Sequence, residues 1–350
     1  MYIYLFALFL VVALLSLVEE HIDRPQRQYI VWGMLVVMVM AATLKDVSTV
    51  ADSGAYERMF YDNDNPLYVI ATEPTYIYLS RLILIFGGGI ACLFFVYAIL
   101  SIPLKMWTIS KMTPFFFSAL VIYIPVYYEL HDLVQIRAAV AGAFLLLSIY
   151  FYANKQYKPL VLAYVAAVLF HYSSISFLPV FLVGNYLNGK RSRLLLASLI
   201  PIGFLLYLTH HDLLSLIPSS LLGGKVDFYR SSAESGDLWS EMLAPYKNLF
   251  FLTKCAALYV YLYYYDYLKE KSKYFTLLCV VETGSLFWML SMSTIPVVAT
   301  RISDLYGIID AVFLSYSLYL IEPKIAARAC LIGIGLYMYV YNMLFSNYFG

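Results

Sequence analysis

Long apolar stretches separated by short polar linkers run along the chain from its first residues to its last. An α-helix needs about 20 apolar residues to cross the hydrocarbon core of a bilayer, so such stretches predict membrane-spanning helices. The predicted spans are residues 2–18, 29–44, 88–106, 114–130, 137–153, 158–170, 172–187, 194–209, 248–268, 274–292, 303–320 and 329–345. The sequence therefore predicts an all-α, polytopic transmembrane protein of about twelve helices, with residues 1–350 forming a single integral membrane domain.

Basic residues cluster in the short linkers between these spans, and their distribution predicts the orientation. Lys and Arg concentrate in the cytoplasmic loops of membrane proteins. Six linkers hold 14 of the 23 basic residues: Arg24/Arg27, Lys105/Lys111, Lys155/Lys158, Lys190/Arg191/Arg193, Lys269/Lys271/Lys273 and Lys324/Arg328. Placing all six in the cytoplasm makes the spans alternate without exception and leaves both termini outside.

Two long polar segments then fall on the outer side. Residues 45–75 carry six acidic side chains, and residues 210–247 are rich in Ser and Gly. The apolar segment 74–86 is too short to add a crossing and precedes three consecutive glycines, so we expect it to form an interfacial or re-entrant helix. Almost all the polar residues with interesting chemistry therefore lie outside in this topology.

Composition excludes several classes of function. The chain is 62% hydrophobic and 13% charged, with a formal net charge of +1, so no overall field would recruit nucleic acid. Its four cysteines lie far apart in apolar runs, and no His or Cys spacing predicts a metal site. There is no phosphate-binding Gly-rich motif and no nucleophile elbow, and we expect no cofactor. Any chemistry must therefore come from local clusters of side chains.

Ionisable residues in or near the outer half of the predicted membrane region form one such group. They are Arg81, Arg137, His171, Lys254, Glu282, Arg301, Asp304 and Asp310. Ionisable groups at this depth usually face a polar cavity and pair with one another. Simpler roles stay open, because Arg301 and Asp304 can form a capping ion pair and Arg81 and Lys254 can reach the interface. Several arginines on one side of a charge-poor protein nevertheless favour an anion site, since guanidinium groups bind phosphate oxygens bidentately.

Four patches of sequence resemble a known family. They are Asp52-Ser53-Gly54-Ala55-Tyr56 with Glu73-Pro74 beyond it, Gln135-Ile136-Arg137 opening an apolar run, Phe170-His171-Tyr172-Ser173, and Arg301-Ile302-Ser303 leading to Tyr306. Their order and approximate spacing over residues 40–310 resemble the EpsG/Wzy type of bacterial polysaccharide polymerase. The resemblance implies a GT-C-like membrane glycosyltransferase, multi-pass in the bacterial inner (cytoplasmic) membrane, with an active site that faces the periplasm.

The resemblance also implies a reaction. The growing glycan would move from its polyprenyl (undecaprenyl) diphosphate onto the non-reducing end of a new lipid-linked repeat unit, as in the biosynthesis of O-antigen for lipopolysaccharide or of another surface polysaccharide. The partners would be polyprenyl-diphosphate-linked oligosaccharides and membrane lipid. A chain-length regulator protein stays open as a further partner, and no nucleic acid is expected.

Roles follow for the matched residues. His171 is the leading candidate for the general base because histidine titrates near neutral pH, and Asp52 and Glu73 are its rivals. Arg137 and Arg301, with Arg81 third, would stabilise the charge of the departing diphosphate. The remaining candidates for binding substrate are Tyr56, Gln135, Asp304 and Tyr306. We expect catalysis without a metal.

Two other classes of function stay open. A glycosyltransferase that uses a polyprenyl-monophosphate sugar could employ Asp46 and Asp52 in the acidic first segment, and an O-antigen ligase would share much of the same chemistry. A flippase or other transporter would typically show two related halves with broken helices in matching positions. No such repeat is visible in the sequence, and the ionisable residues lie towards the outer side, which favours an enzyme.

Overall fold

The computed structural model of the chain describes residues 1–184, 186, 187, 189–211, 213, 248–292, 295–346, 348 and 349. In this part of the chain the regular structure is helical, apart from one isolated antiparallel bridge between Val50 and Phe349. The all-α prediction is therefore confirmed. The chain divides into two compact units, the first formed by Met1–Ser174 with Leu314–Gly350 and the second by Ile175–Phe313.

The first unit contains the following helices. They are α1 (Tyr2–Leu17), α2 (Arg24–Thr43), α3 (Ser53–Tyr61), α4 (Pro66–Ala71), α5 (Pro74–Ile85), α6 (Ile90–Met112), α7 (Phe116–Tyr123), a π-helix (Ile124–Val134), α8 (Ile136–Ala153) and α9 (Tyr157–Phe170). A 3₁₀ helix, Tyr172–Phe177, begins in the first unit and continues into the second. The prediction of a helix at 74–86 is thus confirmed, and its position relative to the membrane stays a prediction.

The second unit continues with α10 (Leu178–Val183), α11 (Lys190–Leu208), α12 (Leu249–Tyr263), α13 (Tyr265–Lys271), α14 (Phe275–Ser291) and α15 (Pro296–Gly307). Helix α16 (Asp310–Ser315) leads back to the first unit, which closes with a 3₁₀ helix (Tyr316–Tyr319) and α17 (Lys324–Phe345). The predicted outer segment 210–247 lies outside the described residues, apart from positions 210, 211 and 213.

Four described helices are long and apolar enough to cross a membrane, namely α6, α8, α11 and α17. They overlap the predicted spans 88–106, 137–153, 194–209 and 329–345. Large apolar side chains on several helices point outward, among them Ile3 on α1 and Leu162 on α9, which are 87% and 72% exposed. Outward apolar faces of this kind suit lipid rather than water. The count of about twelve crossings, the GT-C-like architecture and the single integral domain stay predictions.

Within the first unit, contacts define two ends. At one end the carboxylate of Glu20 lies 3.0 Å from Nζ of Lys324 and 3.1 Å from Nη2 of Arg328, so the linker after α1 meets the start of α17. At the other end the segment after α2 meets the end of the π-helix, because Nζ of Lys45 donates to the carbonyl of Leu133 at 2.5 Å. Two of the predicted basic linkers therefore share one end, as the charge pattern requires.

In the second unit, too, two basic linkers lie close together. Arg193 near the start of α11 donates to the carboxylate of Asp266 on α13, at 2.7 and 2.8 Å. The basic linkers at 190–193 and 269–273 therefore meet at one end of that unit.

Several predicted boundaries were wrong. The predicted span 248–268, for example, is divided into two helices, α12 and α13. The predicted span 303–320 starts earlier, at Pro296, and is interrupted after Gly307. Charged Arg301 and Asp304 suggested a helix start, but they lie inside α15, where Ser303 gains a buried partner in Ser285. Lys105, assigned to a cytoplasmic linker, is fully buried within α6. Its charge is neutralised by Asp132, 2.8 Å away, so it carries no information on orientation.

Candidate active site

Three segments that are distant in sequence bring Glu73, Arg137 and His171 together. Glu73 is the residue before α5, where Pro74 favours the start of a helix. Arg137 lies in the first turn of α8, and His171 follows the last residue of α9. The hydroxyl of Thr75 donates to the carbonyl of Leu169 at 2.8 Å, which fastens the start of α5 to the end of α9.

The carboxylate of Glu73 binds both of the other side chains. Nδ1–H of His171 donates to Oε1 of Glu73 at 2.9 Å, and Nη1 of Arg137 donates to Oε2. The backbone N–H of Tyr172 adds a longer bond of 3.4 Å to Oε1. The Glu73 side chain is 6% exposed, while those of His171 and Arg137 are 15% and 22% exposed. The acid is therefore enclosed, and the two basic groups retain some access to a ligand.

These partners determine the protonation of Glu73. Burial alone would raise the pKa of its carboxyl, but the hydrogen bond from His171 and the charge of Arg137 outweigh burial and lower that pKa to about 2. A carboxyl that stays ionised through the physiological range is an acceptor only. Glu73 therefore orients its two partners and is a poor proton donor.

Aromatic rings lie beneath Arg137. The guanidinium carbon is 5.5 Å from the ring centroid of Tyr56 and 6.0 Å from that of Tyr76, within the range of cation–π attraction. The hydroxyl of Tyr76 donates to the carbonyl of Tyr56 at 2.6 Å, which fixes one ring against the other. Both rings belong to a buried cluster that also includes Ile136 and Val140 of α8. The two rings and the carboxylate of Glu73 therefore hold the guanidinium of Arg137 in place.

Two predicted site residues have other surroundings among the described contacts. Asp52 is exposed before α3 with a left-handed backbone (φ 61°), and no hydrogen bond or ion pair joins it to Glu73, Arg137 or His171 among the described contacts. Arg81 donates to the carboxylate of Asp64 at 2.8 Å and to the carbonyl of Asn63 at 3.2 Å. Their proposed roles in catalysis and diphosphate binding stay predictions.

Gln135 joins the π-helix to α8. Its backbone N–H donates to the carbonyl of Leu130, and its carbonyl accepts from Ala139, both at 2.9 Å. Its side chain is half-buried two residues before Arg137. Gln135 is therefore close to the site in the chain, and its predicted contact with substrate stays a prediction.

Arg301, Asp304 and Tyr306 lie on α15 in the second unit. Arg301 is exposed, Asp304 is half-buried and the ring of Tyr306 is buried. The Tyr306 hydroxyl donates to the carbonyl of Ser176, and its ring centroid lies 4.2 Å from that of Phe177. A side chain at position 284 would clash with this ring, since a Cβ there would be 2.6 Å from it. Tyr306 is thus packed as a support for α15.

The second unit also holds a buried charged cluster. Nζ of Lys254 lies 2.8 Å from Oδ2 of Asp310 and 3.6 Å from Oε1 of Glu282, and it donates to the hydroxyl of Ser285 at 3.0 Å. The Ser285 hydroxyl in turn lies 3.1 Å from that of Ser303. The expected pairing of intramembrane charges is therefore present, and Lys254 is buried rather than extended to the interface.

Comparison with known proteins bears on what this arrangement does. Residues 29–349 match the EpsG family. The chain belongs to the EpsG family. No curated protein and no solved structure shows a significant match to it. The four patches that resemble this family, three of which contribute Glu73, Arg137 and His171, therefore lie in a chain that belongs to it along nearly its whole length.

Membership of the EpsG family, with the apolar helices, indicates a membrane polysaccharide polymerase in general terms. Sequence reasoning missed several residues that lie at the site of this EpsG protein or in the segments that lead to it. Thr75 and Tyr76 follow Glu73 on the first turn of α5, and their proximity to a candidate acid was a usable signal. The sequence also showed no sign of the contacts made by Lys45, Lys105 and Asp132, because their partners lie far away in the chain.

Proposed function

We propose that this EpsG-family protein joins polyprenyl-diphosphate-linked oligosaccharide repeat units at the outer face of the bacterial inner membrane. The growing glycan would leave its lipid diphosphate and be transferred to the non-reducing end of a new lipid-linked unit. The observation that carries the proposal is the bridging of His171 and Arg137 by one carboxylate, that of Glu73. A base and a phosphate-binding cation are thereby held side by side.

His171 is the general base in this proposal. Its Nδ1 is engaged by Glu73, so Nε2 is the ring nitrogen that takes the proton from the attacking sugar hydroxyl. The new bond forms between that hydroxyl oxygen and the anomeric carbon of the donor glycan. The bond from the anomeric carbon to the diphosphate oxygen breaks, and the lipid diphosphate leaves with the electron pair. Glu73 stabilises the imidazolium that results, as a buried acid does behind a catalytic histidine.

Arg137 is the proposed diphosphate ligand. A guanidinium group has five N–H donors, and Glu73 engages only one side of the Arg137 fork. Tyr56 also hydrogen-bonds the guanidinium. The donors that neither Glu73 nor Tyr56 engages are the ones that we assign to phosphate oxygens, and the rings of Tyr56 and Tyr76 restrict the movement of the group. Fixed positive charge at a departing diphosphate lowers the barrier because it need not reorganise during the reaction. Arg301 stays a separate candidate for the same ligand and needs its own test.

Binding of the sugars is assigned to the polar surface around this site. Asp52 and Gln135 are the residues of the first unit that we assign to the orientation of sugar hydroxyl groups. An ionised Glu73 enclosed by its two partners is less suited than His171 to act as the base. The acid-rich segment 45–75 and the site share the end of the first unit that the charge pattern assigns to the outside.

A polymerisation assay tests the proposal. Purified protein in lipid nanodiscs, supplied with lipid-linked repeat units, should produce a ladder of products by gel electrophoresis. Arg137→Ala should abolish the ladder and Arg137→Lys should restore little of it, because an ammonium cannot reproduce the bidentate fork. Arg58→Ala, which removes an exposed arginine on α3, is the matched control and should leave the ladder intact.

Three results would overturn the proposal. Addition of a single sugar from a polyprenyl-monophosphate donor would identify the rival glycosyltransferase. Movement of lipid-linked oligosaccharide across liposomes without bond formation would identify a transporter. A full ladder from Arg137→Ala would remove Arg137 from the mechanism.

A further inference from the structure

The last turn of the π-helix is anchored by a buried acid. The carboxylate of Asp132 accepts hydrogen bonds from the hydroxyl of Ser101 at 2.5 Å, from Nζ of Lys105 at 2.8 Å and from the hydroxyl of Tyr123 at 2.7 Å. Asp132 is 2% exposed and Lys105 is fully buried. Helix α6, which carries Ser101 and Lys105, therefore fixes the position of Asp132.

A second lysine holds the next residue. Nζ of Lys45 donates to the backbone carbonyl of Leu133 at 2.5 Å, and it lies 4.2 Å from the ring centroid of Phe94. The carbonyls in the last turn of a helix have no partner within the helix, and a cation there is favourable. Lys45 is 5% exposed and comes from the segment after α2. Consecutive residues of the π-helix are thus held by two separate segments of the chain.

The segment held in this way leads directly to the proposed anion site. After Leu133 the chain passes through Val134 and Gln135 and enters α8, whose first turn carries Arg137. The path of that first turn depends on where the π-helix ends, since only two residues separate Leu133 from the start of α8. π-Helices are rare and are frequently found at functional sites.

We propose that Lys45 and Asp132 are positioning residues for Arg137. They fix the end of the π-helix, so that the guanidinium of Arg137 meets Glu73 and presents its other donors to phosphate. This inference rests on the proposed function, in which Arg137 binds the diphosphate. Purely structural needs would not favour the buried pair of Asp132 and Lys105, because well-packed apolar side chains replace a buried ion pair without loss of stability in many proteins.

The test is a double-mutant cycle read out by the affinity for inorganic pyrophosphate, measured by calorimetry on the purified full-length protein. Lys45→Met should weaken binding roughly 10-fold, the lower end of the loss found when the supporting partners of metal-binding side chains are removed. In an Arg137→Lys background the same substitution should have almost no further effect, because its action passes through the guanidinium. Lys45→Arg keeps a donor for the Leu133 carbonyl and should restore most of the affinity.

A matched control separates positioning from general damage. Arg328→Met removes another buried cation of the first unit, the one paired with Glu20 at the opposite end, and should leave the affinity unchanged. Equal losses from Arg328→Met and Lys45→Met, or an equal loss from Lys45→Met in both backgrounds, would overturn the inference. If Lys45→Met does not fold, Tyr123→Phe removes one bond to Asp132 and should weaken binding in the same direction.

The anion site and the positioning role are contradicted by different results. If Arg137→Lys leaves the affinity for pyrophosphate unchanged, the proposed anion site is wrong, and this inference falls with it. If Arg137→Lys weakens binding but Lys45→Met and Tyr123→Phe do not, only the positioning role is wrong.

Discussion

Oε1 of Glu73 lies 2.9 Å from Nδ1 of His171, although the two residues are 98 positions apart in the chain. This bond holds the imidazole in the tautomer with a proton on Nδ1, because an ionised carboxylate can only accept. Nε2 is then left as the basic nitrogen. The contact turns a histidine at the end of an apolar helix into a candidate base of defined orientation.

Substitution of His171 tests its role as a base. His171→Gln keeps a hydrogen-bonding side chain but cannot take up a proton, so the rate of polymerisation should fall roughly 100-fold or more. His21→Gln is the control, since His21 is exposed in the linker after α1. Initial rates should be compared at matched amounts of folded protein. Near-normal turnover by His171→Gln would transfer the role to Asp52 or Glu73.

The stability of the protein should depend on pH through Glu73. The pKa of this carboxyl in the folded protein is about 2, below its ordinary value of 4.5, so the folded state binds the proton less readily than the unfolded chain. The resulting stabilisation, about 3 kcal/mol, is fully present above pH 4.5 and is lost as the pH falls through about 2. Thermal unfolding measured from pH 7 downward should show this loss.

The Glu73→Gln variant provides the comparison for that experiment. Glutamine does not titrate, so the difference in unfolding temperature between wild type and variant should shrink as the pH falls. An identical acid slope in both proteins would show that another group is responsible.

The buried cluster around Lys254 should be essential for stability. Lys254→Met leaves the carboxyl groups of Asp310 and Glu282 buried without their cation, at a cost of about 3–5 kcal/mol. The unfolding temperature should fall sharply. Asp310→Asn added to Lys254→Met should recover part of the loss, because it removes one uncompensated charge. Lys190→Met, at the exposed start of α11, should have little effect; a similar loss there would deny the cluster any special role.

Cysteine labelling tests which face carries the site. In a background without Cys92, Cys255, Cys279 and Cys330, Ser48→Cys should react with a membrane-impermeant maleimide in intact cells. Glu322→Cys, at the opposite end of the first unit, should react only after lysis. Both positions are exposed, so failure to react reports the membrane side rather than burial. The reverse pattern would put Glu73 and His171 in the cytoplasm and exclude periplasmic polymerisation.

Sequence alone identified Glu73, Arg137 and His171 separately, through local motifs. It did not reveal that one carboxylate joins the other two, because that contact depends on how α5, α8 and α9 pack. Counting basic residues in linkers gave a consistent alternation, but it assigned Lys105 to solvent. Local sequence cannot show that Asp132 lies close enough to neutralise this lysine. Helix boundaries were least predictable near Arg301, where buried hydroxyl partners let α15 extend through charged positions.

Helix α17 fits closely against α1 and α7, which both precede it in the chain. A Cβ at Gly335 would lie 2.6 Å from the carbonyl oxygen of Val121 and 2.8 Å from the ring of Phe9, so these backbones can approach only because the residue is glycine. During translation, every residue of the second unit leaves the ribosome before α17 does. Helices α1 and α7 are therefore made well before the helix that packs against them, and a nascent chain stalled before Lys324 would leave Phe9 and Val121 without this partner.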